Sequence, residues 1–243
     1  MDSADIELNS LFEGRLSLYQ YRKGYRFSID SLLLASFARE RVRGHVADLG
    51  TGSGVLPIIL ARSGTVTSLA GFEIQTELAE LARRNIALHE IADRVSITQA
   101  DIKKIRSLRQ AESFDAAIAN PPFYPFGTGR INPGSQDAAA RHELLATLQD
   151  FIGAAAFLVK NGGRFCAIFP ATRSADLICT LRDNRIEPKA MRCVHSRAGE
   201  SAVMLLVEGI KNAGSQAEIL PPLVIYSQGS AYSPEVQAIF NSL

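Results

Sequence analysis

Asn120-Pro121-Pro122-Phe123 closes an apolar run, Phe114 to Ala119, that reads as a buried strand ending on the asparagine. Two prolines after a polar amide cannot continue a sheet, because proline has no N–H to donate and fixes its own φ. They form a stiff turn instead. That turn offers two hydrogen-bond acceptors, the Asn120 side-chain oxygen and the Pro121 carbonyl, and few donors. A rigid acceptor pair of this kind can hold an amino group by both of its hydrogens. Phe123, next in the chain, can stack on a planar ring and fix its plane.

A second constellation lies upstream, in Asp48-Leu49-Gly50-Thr51-Gly52-Ser53-Gly54. Gly50, Gly52 and Gly54 allow positive φ and close approach of backbone to a ligand. Their spacing, G-x-G-x-G, differs from the G-x-G-x-x-G of dinucleotide sites. Asp48 just before them would repel a pyrophosphate and attract an ammonium or a sulfonium. Glu73 ends the next strand and can accept hydrogen bonds from ribose hydroxyls. Asp101 follows the third strand and can hold the amino group of an adenine, with Ile74 and Ile102 on the ring faces. A glycine loop taken alone is a weak signal that a plain tight turn also explains, and a single acid is more often a solvated loop residue. Acids at the ends of three successive strands describe a pocket for an adenosine bearing positive charge, and S-adenosylmethionine fits that description. The asparagine turn ends the fourth strand and so falls on the same edge. There Asn120 and Pro121 would draw out the two hydrogens of an exocyclic amine and aim its lone pair at the sulfonium methyl, mostly by positioning and electrostatics.

The elements that must position these residues alternate along the chain. Strands are expected over His45–Leu49, Val66–Phe72, Val95–Thr98, Phe114–Ala119 and Arg164–Phe169. Helices are expected over 55–61, 75–89 (Leu78, Leu81, Ala82 and Ile86 on one face) and 144–160, the last stopped by Asn161-Gly162-Gly163. Such alternation means an α/β fold with a doubly wound, mostly parallel, Rossmann-like sheet. Lys189–His195 and Ala202–Glu208 add an antiparallel hairpin at one edge, giving seven strands in all. Residues 1–40 read as an N-terminal extension, with a strand at Leu16–Tyr21 and a helix over 31–39 capped by Asp30. Residues 41–243 read as the single main domain. A last strand over 223–226 and a terminal helix opened by Ser233-Pro234 complete the chain.

DLGTGSG and NPPF, in this order, resemble the first and fourth motifs of the class I S-adenosylmethionine-dependent methyltransferases, over about Val46 to Phe169. A narrower similarity covers nearly the whole chain. Gln20 to Leu34 (QYRKGYRFSIDSLLL), NPPFY and Ala140-Arg141-His142-Glu143 resemble the bacterial tRNA adenine-N6 methyltransferases that modify valine tRNA beside its anticodon. The resemblance implies that Asp30 lies beside the amino-acid end of the cofactor, with Lys23 and Phe27 lining the entrance. It implies Asn120, Pro121, Pro122 and Phe123 as the catalytic turn. The tetrapeptide is shared with enzymes that methylate guanine N2 in ribosomal RNA, DNA adenine and a glutamine side chain of release factors. Guanine-N2 enzymes often carry histidine where this chain has Tyr124. The expected activity is therefore methyl transfer to N6 of an adenine in structured RNA, with tRNA as the partner. Guanine N2, a protein glutamine or a small-molecule amine remain the alternatives.

Residues 124–136 form a long Gly- and Pro-rich loop carrying Arg130, readable as a flap over the base or as a plain surface loop. Arg141 and His142 can contact phosphate, although His142 equally suits an ordinary helix start. The net charge of +1 over 243 residues excludes a polyelectrolyte, so any RNA-binding surface must be local. Arg22, Lys23, Arg26, Arg39, Arg41 and Arg43 form one basic cluster, and Arg182, Arg185, Lys189, Arg192 and Arg197 another. Three widely spaced cysteines indicate neither zinc nor a disulfide framework. No metal is expected. The acidic opening lacks the positive region of a secretory signal, and no apolar run approaches a membrane span. A cytoplasmic monomer without membrane attachment is the expectation.

Overall fold

The computed structural model describes residues 6–22, 28–121 and 146–242. Strands β1 (Ile6–Leu11) and β2 (Leu16–Tyr21) pair antiparallel as a separate hairpin. Next come α1 (Ile29–Arg39), β3 (Gly44–Leu49), α2 (Val55–Ala61), β4 (Val66–Glu73), α3 (Thr76–Leu88) and β5 (Val95–Gln99). A 3-10 turn (Ile102–Lys104) leads into the short α4 (Ile105–Leu108) and then β6 (Phe114–Ala119). The chain continues with α5 (Leu148–Leu158), β7 (Val159–Pro170), α6 (Ser174–Asp183), β8 (Ile186–His195) and β9 (Ala202–Lys211). It closes with the two-residue strands β10 (Glu218–Ile219) and β11 (Leu223–Val224) and with α7 (Pro234–Asn241).

The main sheet runs β10-β8-β9-β7-β6-β3-β4-β5, with β11 also on β8. Strands β3 to β7 pair parallel, and β9 is antiparallel to both β7 and β8. This is the expected doubly wound sheet of seven long strands with its antiparallel hairpin, extended by two short pieces. Alternation along each strand sends residues to opposite faces. Val46, Ala116 and Ile118 join the core under α1, α2 and α7, whereas Ala47, Leu49, Ala117 and Ala119 join the core under α5 and α6. Both faces of these strands are buried, which is why they read as continuous apolar runs. Leu16 and Leu18 of β2 are fully buried in the first core. Each contributes about 1.5–3 kcal/mol to docking the hairpin.

Three expectations change. Asn161-Gly162-Gly163 does not stop a helix: α5 ends at Leu158, Val159 is already extended, and the glycines lie within β7. Gly162 has φ +74°, and the pairing of β7 with β6 jumps from Phe114–Val159 to Ala116–Arg164. The glycines therefore form a bulge, the other structure that a positive-φ residue permits. Asp30 is not the cap of α1. Ser28 holds that place, and the chain is helical from Ile29, so Asp30 sits in the first turn and accepts a 2.8 Å bond from the Ser28 hydroxyl. A carboxylate there complements the helix dipole. Finally, β1 adds a strand not expected above, although Ile6-Glu7-Leu8-Asn9 alternates apolar and polar residues.

Candidate active site

Asp48, Glu73, Asp101 and Asn120 lie at the carboxyl ends of β3, β4, β5 and β6, which are neighbours in the order β6-β3-β4-β5. Register makes this tight. Leu49 pairs with both Phe72 and Ala119, so the chains leave the sheet side by side. Ligands of open α/β sheets bind outside this edge.

The glycine loop is folded back on the sheet. The Gly50 and Thr51 N–H groups both donate to the Phe72 carbonyl at 2.9 and 3.0 Å. Gly50, Gly52 and Gly54 take φ of +74°, +56° and +86°, which side chains with a Cβ avoid. A Cβ on Gly50 would also come within 3.0 Å of the Phe151 ring of α5. Asp48 is fully buried, and its Oδ2 accepts a 2.6 Å bond from the Thr51 hydroxyl. Gly71, opposite Asp48 in register, leaves the space for Thr51: a Cβ there would lie 2.9 Å from Thr51 Oγ1. Burial pushes the Asp48 carboxyl up to about 7, against the Thr51 hydrogen bond and with a smaller push from the Glu73 charge. Its Oδ1 is buried with no hydrogen-bond partner among the described residues.

Glu73 is buried and each of its oxygens takes a backbone donor, Gly52 N–H at 2.9 Å and Gln75 N–H at 3.0 Å. It thus fixes the loop, and the remaining lone pairs are what a ribose can use. Asp101 Oδ1 accepts from Lys103 N–H at 2.9 Å, capping the 3-10 turn, and is half-exposed. Ile74 is half-buried and Ile102 buried beside it in sequence order of the two strand ends. Burial raises the Asp30 carboxyl above its ordinary range, with the Ser28 hydroxyl opposing.

Asn120 Nδ2 donates to the Ser31 hydroxyl of α1 at 3.1 Å. Its Oδ1 is buried and has no hydrogen-bond partner among the described residues. Pro121 is buried directly after it. The oxygens of Asp48 and Asn120 that have no partner among the described residues are acceptors left open on one sheet edge, suited to an ammonium or sulfonium and to an amine. The residues present therefore fit S-adenosylmethionine. Lys23, Phe27, Pro122, Phe123, Tyr124, Arg130, Arg141 and His142 lie outside the described residues.

Three further contributors are brought to the site by the fold. Ser31 and Thr51 are ordinary hydroxyls until the fold brings them to Asn120 and Asp48. Asn85 sits on the apolar face of α3, fully buried, and donates to the Ser53 carbonyl of the glycine loop at 2.9 Å. A polar residue inside an amphipathic stripe was the available clue. Many of the basic residues are engaged within the chain: Arg192 pairs with Glu235, Arg182 with Glu187, Arg41 and Arg164 with the buried Glu208. Lys189 donates to the carbonyls of Gly214 and Gln216.

The family model for the methyltransferase small domain matches residues 26–174, more than half of the chain. A tRNA1(Val) (adenine(37)-N6)-methyltransferase of Porphyromonas gingivalis is 31% identical over 218 residues, covering 86% of this chain and 85% of that protein. A protein of the same name from Aeromonas salmonicida is 29% identical over 215 residues, 87% of each. Among solved structures, a predicted O-methyltransferase from Agrobacterium tumefaciens shares the fold with a TM-score of 0.67 at 28% identity, covering 88% of this chain and 96% of that one. The chain belongs to the methyltransferase small domain family, within the class I S-adenosylmethionine-dependent enzymes.

Proposed function

We propose that this protein methylates N6 of an adenine in structured RNA, and that the RNA is a tRNA modified near its anticodon. When bound, S-adenosylmethionine supplies an electrophilic methyl on a sulfonium. Asp48, Glu73 and Asp101 hold that cofactor through its cationic end, its ribose and its adenine. Asn120 Oδ1 and the Pro121 carbonyl each accept one hydrogen of the substrate amine. Drawing both hydrogens toward acceptors favours a pyramidal nitrogen whose lone pair is free to attack. No strong base is required first, because the nitrogen becomes acidic only as the new bond forms.

The observation that carries the proposal is the buried Oδ1 of Asn120, without a partner among the described residues, at the end of β6 beside the strand of Asp48. An acceptor left open next to a methyl donor suits an amine, which has two hydrogens to give. The names of the relatives support adenine N6 in tRNA. The reading takes residues 41–243 as the catalytic domain and 1–40 as an extension over it, working as a cytoplasmic monomer. Phe123, Tyr124, Arg130, Arg141 and His142 would contact the RNA, and Lys23, Phe27 and Asp30 the cofactor entrance.

The test is in vitro methylation of bulk tRNA from a deletion strain with labelled S-adenosylmethionine, followed by nucleoside mass spectrometry. N6-methyladenosine is the expected product. N2-methylguanosine or a ribose O-methyl nucleoside would overturn the choice of acceptor atom, and unlabelled RNA the choice of substrate.

A further inference from the structure

We propose that Ser31 is a positioning residue for methyl transfer, anchoring the Asn120 side chain to a packed helix so that the other end of its amide faces the substrate amine. The inference rests on the reading of Asn120 as the amine's acceptor.

Asn120 Nδ2 lies 3.1 Å from Ser31 Oγ, and Oδ1 is the end left without a partner among the described residues. Ser31 is itself only 5% exposed and is followed by Leu32, Leu33 and Leu34, all buried in the core under α1. Its own N–H donates to the Ser28 carbonyl at 3.2 Å, in the first turn of the helix. The hydroxyl is therefore carried on a packed element and not on a loop. Without it, the inner end of the amide loses its partner, and the side chain is no longer held in one place. Ser31 does not touch the reacting atoms in this scheme; it acts through Asn120.

The residues meet across 89 positions of sequence. The helix that carries Ser31 follows the N-terminal hairpin, so a segment that precedes the main sheet contributes a side chain beside Asn120.

The experiment uses the full chain, bulk tRNA from a deletion strain and labelled S-adenosylmethionine. Ser31→Ala is expected to lower kcat about 10- to 100-fold, at about 1.4 kcal/mol per decade. The KM for tRNA and the cofactor Kd from calorimetry stay within about threefold, as expected when an interaction acts mainly in the transition state. Ser31→Thr, which restores the hydroxyl, recovers most of kcat. In an Asn120→Ala background, Ser31→Ala lowers residual turnover no further. Unchanged kcat in Ser31→Ala beside an inactive Asn120→Ala overturns the Ser31 role alone. A further loss in the Asn120→Ala background also overturns it, by showing that Ser31 acts through general packing. Full activity of Asn120→Ala overturns the reading of Asn120 and the role of Ser31 with it.

Discussion

The side chain of Asn85 stands in for a missing strand beside Tyr19. Asn85 Oδ1 accepts from Tyr19 N–H at 2.7 Å, and Nδ2 donates to the Tyr19 carbonyl at 3.0 Å. The same Nδ2 reaches the Ser53 carbonyl at 2.9 Å. One buried amide therefore ties the β1–β2 hairpin to the glycine loop. Asn85→Ala would leave two carbonyls and one N–H unpaired in the interior. The expected loss is about 3 kcal/mol, from three bonds at about 1 kcal/mol each. Urea denaturation measures it, and calorimetry on the same variant should show weaker cofactor binding because the loop loses an anchor.

Asn120→Ala separates chemistry from binding. It removes the acceptor at the end of β6 and leaves the Asp48 loop, which lies on the neighbouring strand, intact. The kcat should fall at least about 10²-fold, the scale of losing one preorganised partner of the reacting group. The cofactor Kd should stay within a few-fold. Full turnover would remove Asn120 from the mechanism.

Asp48 predicts two pH effects of opposite sign. Its carboxyl, held at about 7 by burial against an ordinary 3.8, is neutral in the cofactor-free protein below about pH 7. A cationic ligand is best held by the carboxylate. Affinity should therefore rise up to about tenfold per pH unit as pH climbs toward 7, then level off. Stability runs the other way. The raised group favours the folded state fully below pH 4, and that contribution is lost as pH rises through 7, because a buried charge replaces a neutral acid. Asp48→Asn should thus raise the melting temperature of the free protein at pH 8 and weaken cofactor binding. Calorimetry and thermal melts over pH 5.5–8.5 check both signs.

His89 predicts that the hairpin loosens in acid. Burial lowers its affinity for a proton, the nearby Arg62 charge adds to this, and the bond to the Ser17 carbonyl opposes it. The unfolded chain then binds more protons, so the contribution of His89 to stability is complete above its ordinary value of 6.5 and is lost as pH falls below it. The protection factors of the Leu16 and Leu18 amides, with the pH dependence of intrinsic exchange divided out, should fall at pH 5.5 relative to pH 7.5. The fall should be smaller in His89→Gln, which has no charge to gain.

The elements that carry the site were legible because both of their signals are local. Period and apolar runs place β3 to β6, and the glycine spacing with Asp48, Glu73, Asp101 and Asn120 places the edge. Ser31 against Asn120, Thr51 beneath Gly71 and Asn85 against Tyr19 were not, since each is a contact between distant segments that involves unremarkable residue types. Gly71 carried a hint, as glycine inside a strand marks a close approach. Asn161-Gly162-Gly163 shows the limit from the other side. A positive-φ glycine serves a helix stop and a β-bulge equally, and only the register of β7 on β6 selects between them.

The place of β9 between β7 and β8 has a consequence for the order of assembly. During synthesis β8 leaves the ribosome first, with its place in the sheet separated from β7 by a strand not yet made. Strands β3 to β7, and with them the whole edge that carries Asp48, Glu73, Asp101 and Asn120, can pair before that. Until Ala202–Lys211 emerges, β7 presents Arg164–Pro170, the border that β9 later covers, unpaired. A nascent chain paused before residue 202 would thus hold a nearly complete site on a sheet prone to self-association.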